Sequence, residues 1–214
     1  MTKNPPKLQI AEKFDYRSLL GNPAWERLHP AIRRRFSSAT SKKSVTYKGV
    51  METVYLSRAG ALLAQLCRVI GTPLALYNGQ DIPMEVKVYP DENLNGMAWD
   101  RFYYYSDKPV NRVKSIKCIL ANEGLVEVVG FGFGMHLKIF EKNSALYFES
   151  TRFFWQFKNV RVYIPDILTP GKTTVWQAAV SEYKFRFSLK VIHPLLGKVF
   201  WQTGIFDDPI PQGI

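Results

Sequence analysis

From residue 82 onward the chain is a succession of strand-length segments separated by short turn signals, and this pattern narrows the fold more than any other feature. The segments are 82–90, 97–106, 111–120, 124–132, 135–141, 145–157, 160–164, 174–180, 182–193 and 198–206. The separators are rich in Asn, Gly, Pro and Ser: Asp91 to Gly96, Ser106 to Pro109, Asn122-Glu123-Gly124, Lys142-Asn143-Ser144, Pro165 to Gly171 and Pro194 to Gly197. Connections this short imply antiparallel neighbours in a meander, because parallel strands need long crossovers. Within segments the apolar residues alternate. Tyr183, Phe185, Phe187, Leu189 and Val191 face one way, and Lys184, Arg186, Ser188 and Lys190 the other. Leu125, Glu127 and Val129 likewise oppose Val126 and Val128. One face of the sheet is therefore buried.

The expected fold is mainly β (α+β): a strongly curved antiparallel meander sheet, or an open β-barrel, of about eight to ten strands. At about 3.4 Å per residue the longer strands span about 34–40 Å. A sheet that tall either fills itself with aromatic side chains or leaves a cavity.

Upstream, residues 1–22 read as an irregular arm and 23–214 as a single β-rich domain, with two helices near 24–38 and 57–70 packed on the sheet. Asn22 and Pro23 suit a helix start, and Trp25, Leu28, Ile32 and Phe36 form an apolar stripe. Pro30 permits an alternative, a short first turn followed by a helix from about residue 30. Arg33, Arg34 and Arg35 allow two readings, a solvated face or an anion-binding patch. Val45 to Tyr55 has β character, interrupted by Gly49. Leu62, Leu63 and Leu66 belong to the second helix, which Gly71, Thr72 and Pro73 stop.

Composition removes several classes. At 46% hydrophobic and 22% charged residues, the 214-residue chain is neither disordered nor fibrous. Two cysteines, Cys67 and Cys118, are too few for a disulfide scaffold or a zinc ribbon, and both read as small buried hydrophobes. His29, His136 and His193 are too scattered to suggest a metal site. Gly130-Phe131-Gly132-Phe133-Gly134 lacks the spacing of a dinucleotide loop, and no helix follows it, so it reads as a bulge or bend in curved sheet. No cofactor is expected. The start of the chain is polar and Pro-rich, without the apolar core of a signal peptide. The run Ala59 to Ile70 is broken by Gln65 and Arg68 and is too short for a transmembrane segment. The expected location is the cytoplasm.

The net charge of +11 favours acidic partners without choosing among them. Nucleic acid is disfavoured: the aromatic strands have too many apolar neighbours to be exposed stacking platforms. The chemistry-bearing residues are the charges inside aromatic strands. Glu127 shares a face with Leu125 and Val129 and needs a partner if buried, and Arg101 or Arg152 are available. Glu127 and Glu182 are the candidate acid–base carboxylates. Trp99, Arg101, Tyr103, Arg152, Phe154, Trp155 and Phe187 are the candidate ligand-binding residues. The first functional reading is a binding domain for an apolar or amphipathic small molecule, with or without an anionic head. The alternatives are a metal-independent isomerase, cyclase or hydrolase using a cavity carboxylate, and an accessory module docking a separate NAD(P)-dependent oxidoreductase.

Several ordered segments together resemble a bacterial family, domain-of-unknown-function family 4166. They are Leu28-His29-Pro30-Ala31-Ile32-Arg33-Arg34-Arg35-Phe36, Gly96-Met97-Ala98-Trp99-Asp100-Arg101-Phe102, Gly124-Leu125-Val126-Glu127-Val128-Val129-Gly130, Ile164 to Pro170, Glu182 with Phe185-Arg186-Phe187, and His193 to Gly197 with Gly204. The resemblance runs from about residue 25 to 206. It implies a partner in redox or lipid-like metabolism, because in that family the domain also occurs fused behind a nicotinamide-cofactor-binding oxidoreductase domain. It supplies no catalytic residues to carry over.

Overall fold

The structure, a computed structural model, describes residues 15–37, 43–68, 71, 74–120, 123–158 and 160–209. Residues 1–14 of the expected arm, most of the loop after Ser37, the end of the second helix at 69 and 70 with its stop at Thr72-Pro73, and the turn residue Asn122 lie outside them. The described residues form eleven antiparallel strands and four short helices. The strands are β1 (Val45–Leu56), β2 (Gly79–Asp91), β3 (Gly96–Tyr103), β4 (Asn111–Leu120), β5 (Gly124–Gly130), β6 (Phe133–Lys142), β7 (Ala145–Phe157), β8 (Val160–Ile164), β9 (Lys172–Ala179), β10 (Lys184–His193) and β11 (Gly197–Asp207). The helices are α1 (Tyr16–Leu20), α2 (Asn22–Arg27), α3 (Pro30–Arg35) and α4 (Arg58–Cys67).

Ten of the strands close into a barrel. Each strand from β1 to β7 pairs with the next, β7 pairs with β9, the meander continues through β10 to β11, and β11 pairs with β1. The closing seam depends on two small residues. A Cβ at Gly204 would lie 2.4 Å from the Val50 carbonyl oxygen, and one at Gly49 would lie 2.3 Å from that of Ile205. The β1–β11 register also shifts between Val50 and Thr53, as sharp curvature requires. Gly204→Ala is expected to lower stability by about 2–3 kcal/mol through overpacking at this seam. Chemical denaturation would check it, and an unchanged midpoint would mean that the seam has room to spare.

β7 is forked. Its first half, Leu146 to Glu149, pairs with β9, and its second half, Phe153 to Phe157, pairs with β8. Thus β8 and β9 follow one another along β7, and the chain between them leaves the sheet through a 3-10 turn at Asp166–Leu168. The Ser150 hydroxyl accepts from the Thr173 amide at 2.8 Å and ties the fork together. The ribbon of β6, β7 and β8 therefore continues past the barrel wall.

The N-terminal helices plug the other end. Trp25, Leu28, Ile32 and Phe36 are all buried, as their stripe predicts. The helix breaks at Pro30, where the His29 side chain accepts from the Ala31 amide at 3.2 Å and caps α3. Within the arm, Tyr16–Leu20 are helical where weak periodicity gives no such signal. Asp15 caps α1, and Tyr16 packs edge-on to Phe36 at 5.0 Å and Phe148 at 5.8 Å. Neither reading of the arginine run holds for all three residues. Arg33 pairs with Glu26 and Arg34 with Asp208, whereas Arg35 is buried inside the barrel. The glycine-rich run is the β5–β6 turn, with a register shift between Val128 and Gly130 and positive φ at Phe131 and Gly132.

Candidate functional site

The strand register builds the site. Arg101 lies opposite Val113, Trp99 opposite Ser115, Lys117 opposite Glu127, and Glu127 opposite Met135. All these side chains belong to the lumenal face. Between them and the fork lies a cavity of about 150 Å³. Its wall is mainly apolar, with Val113, Met135, Phe153, Ile164 and Phe200 among its residues. Cys67 and Leu74, from α4 and the segment after it, reach the same wall, and so do Leu168 to Pro170 from the corner after β8. Polar groups enter at Arg101, Ser115, Glu127, Tyr103 and Gln202, and the Tyr103 hydroxyl donates to Gln202 Oε1 at 3.0 Å across the lumen.

The charges are buried together. Lys117 Nζ is 3.1 Å from Glu127 Oε1, and Arg101 Nη2 is 3.9 Å from the same oxygen. Arg101 Nη1 donates to Ser115 Oγ at 3.1 Å. Lys117 also sits over the rings of Trp99 and Phe148, at 5.1 and 5.6 Å. Burial pushes the Glu127 carboxyl up, but the charges of Lys117 and Arg101, with hydrogen bonds from Ser115 and Lys117, outweigh it and hold the group below the ordinary carboxylate range. Burial, reinforced by Arg101, draws Lys117 down against the pull of Glu127. Two cations thus face one carboxylate. Ser115 is the one hydrogen-bond partner of Arg101 among the described residues, which leaves its five-donor guanidinium incompletely matched at the cavity wall.

The sequence candidates separate in space. Arg101, Tyr103, Glu127 and Phe154 line the cavity. Trp99 and Phe187 are lumenal but lie nearer the helical plug, in a small space beside Arg35. Trp155 is on the lumenal face of β7 beyond the cavity, half-exposed, its indole N–H donating to the Phe131 carbonyl at 3.0 Å. Arg152 is turned to the opposite face, 3.4 Å from the Tyr163 ring centroid, and does not meet Glu127. Glu182 is exposed in the β9–β10 turn at the plugged end, where its carbonyl accepts from Arg34 at 2.5 Å.

Sequence reasoning missed Lys117. The signal was present, since Val113, Ser115 and Lys117 alternate with Arg112, Lys114 and Ile116. Lysines occur on both faces of β4, however, so alternation alone does not say which is inside. The histidines go to separate duties. His193 Nδ1 accepts from the Leu195 amide at 3.2 Å, and His136 packs beside Phe154 and Tyr163. Burial raises both thiols, with Cys118 pushed up to about 11.

No curated protein and no solved structure matches the chain. A family described as Domain of unknown function (DUF4166) matches residues 28–206, from the buried Leu28 of the plug to Phe206 in the closing strand. That span takes in α3 of the plug, the strands of the barrel up to the penultimate residue of β11, and the charged cavity, and the chain is a member of the DUF4166 family.

Proposed function

We propose that the barrel binds a small apolar or amphipathic molecule whose anionic group sits against Arg101. The observation that carries this reading is the apolar cavity with a buried guanidinium whose donors are incompletely matched. A cavity of about 150 Å³ suits a single aromatic ring or a short aliphatic chain. An anion there would complete the neutralisation that Glu127 leaves unfinished, and Arg is the side chain best shaped to receive a carboxylate. Acid–base catalysis by Glu127 has weaker support. A carboxyl held ionised between two cations has no proton to give and little basicity. Glu182, at the other end of the barrel, faces no cavity residue.

The test begins with solvent extraction of purified protein and mass spectrometry of the extract, which names any resident ligand class. Calorimetric titration with hexanoate and with hexanol then separates charge from apolar burial. Wild-type protein is expected to prefer the acid. Arg101→Ala is expected to weaken hexanoate about tenfold and hexanol less than twofold, the loss of one charge-assisted hydrogen bond of about 1.4 kcal/mol. Equal loss for both, or no loss, would remove Arg101 from the site. An empty extract with no uptake of either compound would overturn the reading itself.

A further inference from the structure

Exposed large apolar side chains gather at one end of this barrel. Strands β1, β3, β5 and β7 all run toward that end, so α4, the β5–β6 turn and the β7–β8 turn meet there. Phe131 is 76% exposed, Phe157 57%, Leu168 75%, Leu62 63% and Leu66 62%. Among the described residues the exposed large apolar ones at the plugged end are Val180 and Tyr183, and Tyr183 lies under the Arg34 guanidinium.

Two independent structures make this apolar end. Leu62 and Leu66 are four residues apart on α4, whose inner side packs on β11 and β1, so they form an outward stripe. Trp155 and Phe157 are on β7, two and four residues beyond Phe153 and on its lumenal face. Their rings stack at 5.9 Å where β7 pairs with β8; Phe133 lies 6.2 Å from the Trp155 ring, and both Trp155 and Phe157 remain exposed. A lumenal sheet face normally meets the opposite wall; here its last residues, Trp155 and Phe157, reach solvent.

Exposed cations accompany the apolar side chains at that end. Arg58, Arg68, Lys158 and Lys198 are exposed at the apolar end, and none is ion-paired to a carboxylate among the described residues. At the plugged end Arg17, Arg27, Arg33, Arg34 and Lys184 have carboxylate partners, while Lys43 and Lys142 have none among the described residues. Unpaired cations beside exposed Leu, Phe and Trp suit a surface that is negative outside and apolar beneath. We infer that this end of the barrel docks on an anionic lipid bilayer, with Phe157, Phe131 and the α4 leucines entering the interface and the four cations meeting lipid phosphates. No described helix is long and apolar enough to cross a membrane, and surface docking requires none. A second copy of the chain fits less well, because two faces carrying unpaired cations would repel. Docking is independent of what the cavity holds, although it would set the cavity wall at Leu168 and Cys67 against the lipid.

The test is co-sedimentation of the full chain with vesicles of phosphatidylcholine alone and of phosphatidylcholine with 30% phosphatidylglycerol, at low and high salt. Wild-type protein is expected to partition to the anionic vesicles and to be released by 0.5 M salt. The triple substitution Leu62→Ser, Leu66→Ser, Phe157→Ser is expected to cut partitioning at least tenfold with an unchanged melting temperature, since all three side chains are exposed. Arg68→Glu with Lys158→Glu is expected to do the same on anionic vesicles. Wild-type protein that stays in solution with both vesicles, or a triple variant that binds like wild type, would overturn the inference. So would a wild-type dimer on gel filtration that the triple substitution dissolves, which would assign the face to self-association. Hexanoate binding by the triple variant reads the cavity separately, because none of the three residues lines it.

Discussion

Glu127→Ala is expected to destabilise the barrel by about 3–5 kcal/mol, because it strands Lys117 and Arg101 without a counter-ion in the lumen. For a chain of this length that is a fall in melting temperature of about 10 °C. Lys117 suffers most. Its ammonium is buried, and Glu127 is its one ion-pair partner among the described residues. Arg101 still has Ser115. Adding Lys117→Met to Glu127→Ala is therefore expected to recover much of the loss, since replacing a buried ion pair by apolar side chains is often near neutral, whereas halving it is not. If the double variant is no more stable than Glu127→Ala, the loss comes from packing and not from an uncompensated charge.

The same group makes a pH prediction. The Glu127 pKa is lower in the folded than in the unfolded chain, because Lys117 and Arg101 outweigh the cost of burial. The unfolded chain then binds the extra proton first as pH falls. The stabilisation is fully present above the unfolded value of about 4.3 and is lost as pH drops through the lower folded value. Wild-type stability should therefore fall below about pH 4, and the gap between wild type and Glu127→Gln should narrow over that interval. A gap that stays constant down to pH 2 would mean that Glu127 does not titrate as a paired carboxylate.

Local patterning carried the strands. Alternation in β10 and the turn signals around it need only neighbouring residues, and so does the stripe from Trp25 to Phe36. Closure was not readable in the same way. It rests on β1 pairing with β11, strands from opposite ends of the chain, at a seam where Gly49 and Gly204 let two backbones approach. A lone glycine in β-patterned sequence signals a bend or a close approach without naming the other backbone. The fork in β7 was hidden for a related reason. The corner at 165–171 reads as an ordinary turn, although the strands before and after it share one partner. Among site residues, Arg101 and Glu127 stood out because each interrupts an apolar or aromatic strand. Arg152 also interrupts one, but a register shift between His136 and Leu137, opposite Ser150 and Arg152, sends it to the other face.

Arg35 shows how a sequence reading can find a residue and miss its role. In the sequence it is the third of three arginines in a basic run, and its position on α3 turns it into the barrel. There its guanidinium lies 3.4 Å from the Phe185 ring centroid and 3.7 Å from that of Tyr47, and its Nε donates to Gln177 Oε1 at 2.7 Å. Its Nη1 has no hydrogen-bond partner among the described residues, and burial pulls its pKa down. The two rings stand edge-on to each other with centroids 5.6 Å apart, so they meet the guanidinium from two sides of a corner; each contact contributes about 2 kcal/mol when desolvated, and the side chain fills the space between plug and sheet. Against this stands the cost of burying a guanidinium with a donor unmatched, several kcal/mol. The two nearly cancel, so filling the space should matter more than carrying the charge. Arg35→Ala is expected to lose about 3–4 kcal/mol, mostly through the cavity it leaves. Arg35→Met, which fills that space without charge, is expected to lose less than about 1 kcal/mol. Arg35→Lys should fall between them, because a compact ammonium keeps the charge but lacks the broad planar group that touches both rings while its Nε reaches Gln177. Urea denaturation of the three variants decides the matter: a methionine variant as unstable as the alanine one would mean that the charge itself, held between Tyr47 and Phe185, fastens the helical plug to the barrel.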